Sequence, residues 1–151
     1  ELSEILRDRN ILQINHSITA RSGSIRGMHF QYPPFSEMKI ITCLKGKVFD
    51  VALDLRKGSS TYLQWESCEL SSLNNTIWII PEGFAHGFQT LEDNCELIYF
   101  HTQLYMPSTE GAFRYDDPSF SINWPMAPTD ISKRDSSHKI LSKDFFTGIE
   151  L

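Results

Sequence analysis

The stretch Lys39-Ile40-Ile41-Thr42-Cys43-Leu44-Lys45-Gly46-Lys47-Val48-Phe49-Asp50-Val51-Ala52-Leu53-Asp54-Leu55 decides the fold class. Residues 39–44 read as a strand, Gly46-Lys47 as a tight turn, and residues 48–55 as a second strand. Successive side chains of a strand point to opposite faces. Phe49, Val51, Leu53 and Leu55 therefore share one face, and Asp50 and Asp54 the other. Working outward, the pattern repeats. Residues 61–70 are a further strand candidate, Asn74-Asn75 is a turn, and residues 76–80 form a β-branched, Trp-containing strand. Pro81-Glu82-Gly83 turns the chain, 84–91 extends it, and Glu92-Asp93-Asn94 reverses it into 95–102. Short runs at this spacing, with little 3.6-residue periodicity, predict an all-β chain folded as an antiparallel sandwich or barrel. Helix is expected only near the ends, over 1–8 and in a turn or two after Pro128.

At 151 residues the chain is most simply one domain, 1–151, with length enough for a substantial core. Its 40% hydrophobic and 22% charged residues are those of an ordinary globular protein, which sets aside disordered and fibrous classes. A formal charge of −5 argues against nucleic acid as a partner, which favours a basic footprint. No apolar run approaches the roughly 20 residues of a membrane helix, so no membrane partner is expected. No signal-peptide pattern opens the chain, and a cytoplasmic location is the expectation. Cys43, Cys68 and Cys95 are far apart and form no C-x-x-C pair. They fit a reducing compartment, as small buried hydrophobes.

Candidate chemistry concentrates in Arg26-Gly27-Met28-His29-Phe30-Gln31 and in Lys39, which lies on the strand expected to run beside that of His29. Arg26 and His29 cannot share one face of a flat strand, so the segment should bend where the strand starts. A cation, an imidazole and a second cation suit an anionic substrate that must lose a proton at neutral pH. His29 can act as a general base, since an ordinary imidazole accepts a proton near pH 7. It can equally be a core histidine bonded to backbone. His86, in Pro81-Glu82-Gly83-Phe84-Ala85-His86-Gly87-Phe88, sits among small residues where backbone approaches a ligand closely. Metal sites of all-β barrels usually draw three or four His, Cys or carboxylate ligands from neighbouring strands. Here there is no H-x-H pair, and His16, His101 and His138 show no ligand spacing, so a metal-free site is expected. No G-x-S-x-G elbow or phosphate-cradling glycine loop is present.

Further motifs follow in order: Gln13-x-Asn15-His16-Ser17, Arg26 to Gln31 with Pro33-Pro34, Lys39, Gly46-x-Val48-x-Asp50-Val51-x-x-Asp54-Leu55-Arg56, and Ile80-Pro81-x-Gly83-Phe84-Ala85-His86-Gly87-Phe88. Then come Tyr99, Tyr105-x-Pro107-x-x-Glu110-Gly111, Asp117-Pro118 and Ile122-x-Trp124-Pro125. Across residues 11 to 144 this series resembles the dTDP-4-dehydrorhamnose 3,5-epimerase family, small cupin-fold enzymes of deoxysugar biosynthesis. The resemblance implies a cupin-type jelly-roll barrel, a homodimer, and an isomerase without cofactor. It implies inversion of C3, C5 or both in a dTDP-4-keto-6-deoxyhexose. Residue by residue it implies His29 as general base, Asp135 as the carboxylate that orients it, and Tyr99 as general acid. Lys39 and His86 fall near the substrate carbonyl, and Arg26, Gln13 and Asn15 on substrate-binding positions. Tyr105, Glu110, Trp124 and Arg134 fall at the nucleotide or phosphate end.

The roles are chemically coherent. A C–H beside a ketone is acidic because the enolate spreads charge onto the carbonyl oxygen, and a fixed ammonium with imidazole N–H groups stabilises that charge. Inversion then needs a proton from the opposite face, which a tyrosine still holds at pH 7. Tyr99 shares a strand face with His101, and that face should point inward. A sugar 3,4-ketoisomerase of the cupin type and a non-catalytic sugar-nucleotide-binding cupin are the alternatives. The sequence departs from the family in two places. The Arg-Gly-x-Phe pattern is missing from the twelve residues before Gln13, so a short or truncated N-terminal segment is expected. Leu104 also stands beside Tyr105 where many relatives carry a second aromatic.

Overall fold

The protein's computed structural model describes residues 2–142 and 146–151. Glu1, at the start of the first expected helix, and Asp144, at the end of the resembling stretch, lie outside the described residues. A short helix α1 (Leu2–Leu6) precedes β1 (Gln13–Thr19), β2 (Ser24–Gln31), β3 (Lys39–Lys45), β4 (Lys47–Asp54), β5 (Trp65–Ser71), β6 (Ile77–Ile80), β7 (Phe84–Thr90) and β8 (Cys95–His101). Two short strands, β9 (Glu110–Ala112) and β10 (Asp130–Ile131), and helix α2 (Lys133–Ser137) follow. One sheet has the order β1-β8-β3-β6, and the other β10-β2-β7-β4-β5 with β9 on β2. The all-β expectation holds.

The expected strands at 39–44, 48–55, 76–80, 84–91 and 95–102 form as β3, β4, β6, β7 and β8, with ends within a residue or two. The candidate at 61–70 begins only at Trp65, because the chain before it is drawn onto Asp54. Asp54 N–H donates to Gln64 O at 3.0 Å, Leu63 N–H to Asp54 O at 2.8 Å, and the Ser59 and Thr61 hydroxyls to Asp54 Oδ2, each at 2.6 Å. Gly46 takes φ +75° at the β3–β4 turn, a left-handed conformation that glycine adopts without steric cost. Another expectation fails. The strand bearing Lys39 does not run beside that of His29: β3 pairs with β6 and β8 in the opposite sheet. The Pro33-Pro34 segment carries the chain across between the sheets.

Two cores explain why β4 carries apolar residues on both faces. Val48 and Ala52 face the other sheet and pack with Ile41, Leu70, Ile80, Phe88, Leu97 and Tyr99. Val51, Leu53 and Leu55 point the other way, against Met28, Phe30, Phe113, Phe120, Ile122, Leu141 and Ile149. The C-terminal third thus covers the outer face of the β2–β7–β4–β5 sheet. Each such side chain, fully buried, contributes about 1.5–3 kcal/mol. Among the described residues, the outer face of the β1–β8–β3–β6 sheet has no such cover. Ile14, Ile18, Leu44 and Ile77 are more than half exposed there.

Candidate active site

The bend expected in the Arg26–His29 segment is a shift of register. β2 pairs with β7 through Ile25 and Gln89, Arg26 and Phe88, then slips before His29 meets His86. Gly27 permits it: φ is +127°, and a Cβ there would meet Gly87 Cα at 2.5 Å. With the extra residue absorbed, Arg26 and His29 both line one cavity of about 500 Å³ between the sheets. Asn15 and Ser17 of β1, Lys39 of β3, His86 and Phe88 of β7, and Tyr99 and His101 of β8 line it too.

His29 Nε2 lies 2.7 Å from Asp135 Oδ1. Asp135 is held by α2, whose Ser132 cap accepts from Asp135 N–H at 2.9 Å. Burial alone would raise the Asp135 carboxyl, but the His29 hydrogen bond and charge, with Ser132 and the Gly27 N–H, outweigh it and hold the group below the usual range. The carboxylate is ionised at neutral pH, so neutral His29 donates through Nε2 and leaves Nδ1 as the acceptor.

Tyr99 stands on the other sheet, its ring 5.9 Å from that of His86 and 6.0 Å from that of His101. Burial pushes its phenol well up, offset in part by the Ser17 hydroxyl 3.5 Å away. Lys39 is buried, with Nζ 3.2 Å from Glu37 Oε1 and donating to His29 O at 3.4 Å. Burial would raise Glu37, but Lys39 and His101 together bring it below the usual range.

His86 Nε2 sits 2.9 Å from both carboxylate oxygens of Asp50, a pair the sequence reading missed. Burial drives the Asp50 carboxyl up and the His86 imidazole down, each opposed by its partner. A signal was there: a carboxylate between Val48 and Ala52 on a central strand must find a partner when buried. Glu37, with Oε2 3.1 Å from His101 Nδ1, was missed as well, as was His138 beside Asp135.

The remaining candidates sit around this centre. Arg26 donates to Asp130 Oδ2 at 2.7 Å. Gln13 donates to Asn15 Oδ1 at 3.0 Å and accepts from Tyr105 N–H at 2.8 Å. Tyr105 donates to Glu110 Oε2 at 3.1 Å, and Arg134 to Glu110 Oε1. Trp124 stands apart from the cavity, its Nε1–H bonded to Tyr115 O at 2.9 Å and its ring against Phe49.

Comparison with known proteins identifies the family. The family model described as dTDP-4-dehydrorhamnose 3,5-epimerase matches residues 1–143. The chain belongs to this family. The dTDP-4-dehydrorhamnose 3,5-epimerase of Sinorhizobium fredii is 42% identical over 135 residues, covering 89% of this chain and 69% of its own. NovW, a 4-keto-6-deoxy sugar epimerase from the novobiocin cluster of Streptomyces spheroides, superposes with a TM-score of 0.91 at 33% identity, over 98% of this chain and 75% of that one. The RmlC epimerase of Legionella pneumophila, solved with dTDP-4-keto-L-rhamnose, gives 0.88 at 33% identity, over 99% and 81%. The jelly-roll fold of the cupin type is thus shared with these enzymes.

Proposed function

We propose that the chain inverts C3, C5 or both of a dTDP-4-keto-6-deoxyhexose, with His29 and Tyr99 moving protons on opposite faces of the sugar. One observation carries this reading: a carboxylate-held imidazole from one sheet and a buried phenol from the other line a single cavity. His29 Nδ1 takes the proton beside the ketone, and the electron pair moves onto the carbonyl oxygen. The cationic ring that results is stabilised by Asp135. Lys39 supplies positive charge near the oxygen. Asp50, buried behind His86, holds that ring through Nε2, so that the imidazole stands fixed at the cavity with Lys39. Tyr99 then delivers its proton from the far side, and the ketone re-forms with the centre inverted. The route requires no metal ion. Arg26 turns from Asp130 toward the diphosphate, Gln13 and Asn15 hold the sugar nucleotide, and Tyr105, Glu110 and Arg134 line its outer end.

Incubation with dTDP-4-keto-6-deoxyglucose in D2O, followed by NMR, tests the reading. Deuterium is expected at C3, C5 or both, and exchange at C3 alone marks a monofunctional enzyme. Folded protein that exchanges neither position overturns it.

A homodimer belongs to the same reading. The bare outer face of the β1–β8–β3–β6 sheet presents Ile14, Ile18, Leu44 and Ile77, and isologous packing of two such faces covers them. Light scattering should give twice the chain mass, reduced by Ile14→Asp; a wild-type monomer refutes it. A cytoplasmic location follows from the nucleotide-sugar substrate.

A further inference from the structure

Beside the dyad stands an imidazole that the proposed reaction does not use. His138 follows the last residue of α2, its ring edge-on to that of His29 with centroids 5.8 Å apart. Its Nε2 is 3.6 Å from Asp135 Oδ1, beyond hydrogen-bond length, and is buried without a partner among the described residues. His29 Nε2 reaches the same oxygen at 2.7 Å. One donor atom from each of the three residues lies within 4.8 Å of the others. A tetrahedral zinc ion bound at about 2.0–2.1 Å to nitrogen and oxygen sets its donors about 3.3 Å apart. The three donors straddle that separation, so small side-chain rotations suffice to close on an ion. Two imidazoles and a carboxylate are a donor set that suits zinc. Arg134, the cation next to Asp135 on α2, is already neutralised by Glu110.

We propose that His29, Asp135 and His138 form a zinc site whose occupation switches the enzyme off. The mechanism is one of tautomers, and it rests on the reading of His29 as the base. In the dyad His29 carries its proton on Nε2 and offers the Nδ1 lone pair to substrate. An ion on Nε2 displaces that proton, and the neutral ring then keeps a hydrogen on Nδ1. The nitrogen that must accept the substrate proton is already occupied. Arg26, Lys39 and His86 lie outside the ion's ligand set, so substrate still binds.

The test uses the whole chain, stripped with EDTA and dialysed. Calorimetric titration with zinc chloride should show one ion per chain, and cobalt(II) should give the visible absorption of a four-coordinate site. His138→Ala and His138→Leu, each with a wild-type circular dichroism spectrum, should weaken zinc binding by about 100-fold, the scale of losing a group that supports a metal. Both variants should keep metal-free activity. Zinc should lower the wild-type kcat with KM unchanged, and EDTA should restore it. Absence of binding to wild type, or equal affinity in both variants, overturns the site. Binding that depends on His138 but leaves kcat unchanged overturns the switch. Zinc binding that depends on His138 in a chain that exchanges no keto sugar supports the site and refutes the epimerase reading instead.

Discussion

Asp135→Asn is the sharpest perturbation of the proposed mechanism, because it changes charge and leaves shape nearly intact. The carboxylate oxygen sits 2.7 Å from His29 Nε2 and is almost fully buried. At an effective dielectric of about 20, a unit charge pair at that separation is worth about 6 kcal/mol. The carboxylate's own desolvation, visible in the upward push that burial gives its proton affinity, offsets part of this. If half survives, the imidazolium formed on C–H abstraction loses about 3 kcal/mol, or about two orders of magnitude in rate. The amide adds a second penalty. Its NH2 group can turn toward Nε2 and select the tautomer with hydrogen on Nδ1, where the proton must arrive. The related Ser-His-Asp system loses about 10⁴ for this exchange of Asp for Asn, so the expected fall lies between about 10² and 10⁴. The assay is deuterium incorporation into dTDP-4-keto-6-deoxyglucose, followed by NMR, with dTDP affinity measured calorimetrically on the same protein. Affinity should stay within threefold, on the order of the small changes expected when no ligand contact is lost. Exchange within tenfold of wild type would falsify the dyad, because a carboxylate at this distance cannot be worth so little to a cation it faces.

Three further outcomes are expected. Tyr99→Phe should still exchange deuterium through His29 while net inversion falls by about 10²–10⁴, the usual worth of a general acid; NMR of recovered sugar separates the two, and inversion at the wild-type rate removes Tyr99 from the mechanism. Asp50→Asn should lower kcat more than it raises KM, since an amide can either donate to or accept from His86 Nε2 and no longer fixes one tautomer of the ring; a pure KM effect contradicts that role. Asp54→Ala should cost about 3 kcal/mol in urea denaturation at neutral pH, because it removes a buried carboxylate that accepts from Arg56, Ser59 and Thr61. Burial would raise the Asp54 carboxyl, but those donors outweigh it and hold the group well below the usual range. The folded state therefore binds fewer protons there than the unfolded chain. The contribution is complete above the unfolded carboxyl's value of about 3.9 and is lost as pH falls below it. The gap between wild type and variant must narrow in acid; a gap that widens reverses the sign.

The strands that carry large apolar residues were legible because a half-buried sheet writes its pleat into the sequence. β4 is the clearest case: its alternation gave both boundaries and both faces. The same logic hid β1. In Gln13-Ile14-Asn15-His16-Ser17-Ile18-Thr19 the polar residues Asn15 and Ser17 turn inward to the cavity, while Ile14 and Ile18 face outward. A strand that lines a binding site on one face and is uncovered on the other inverts the usual pattern, and no strand was expected there.

The site itself was legible in part for a different reason. Arg26, His29 and Lys39 are local, and a glycine between a cation and an imidazole announces a bend. Sheet assignment is not local. Lys39 was expected beside His29 on an adjacent strand, and it reaches the same cavity from the opposite sheet. Asp135 lies 106 residues from the histidine it holds, on a helix of five residues, with no periodicity to betray it. Only a resemblance over the whole chain could join the two. Asp50 falls between these cases. Its face was read correctly, but alternation does not say whether a polar face meets water or a cavity. Covalent neighbours fix which way a side chain points, and the fold decides what it meets there. The carboxylates that tune both histidines, Asp135 and Asp50, are therefore the residues that a reading of local pattern is least equipped to find.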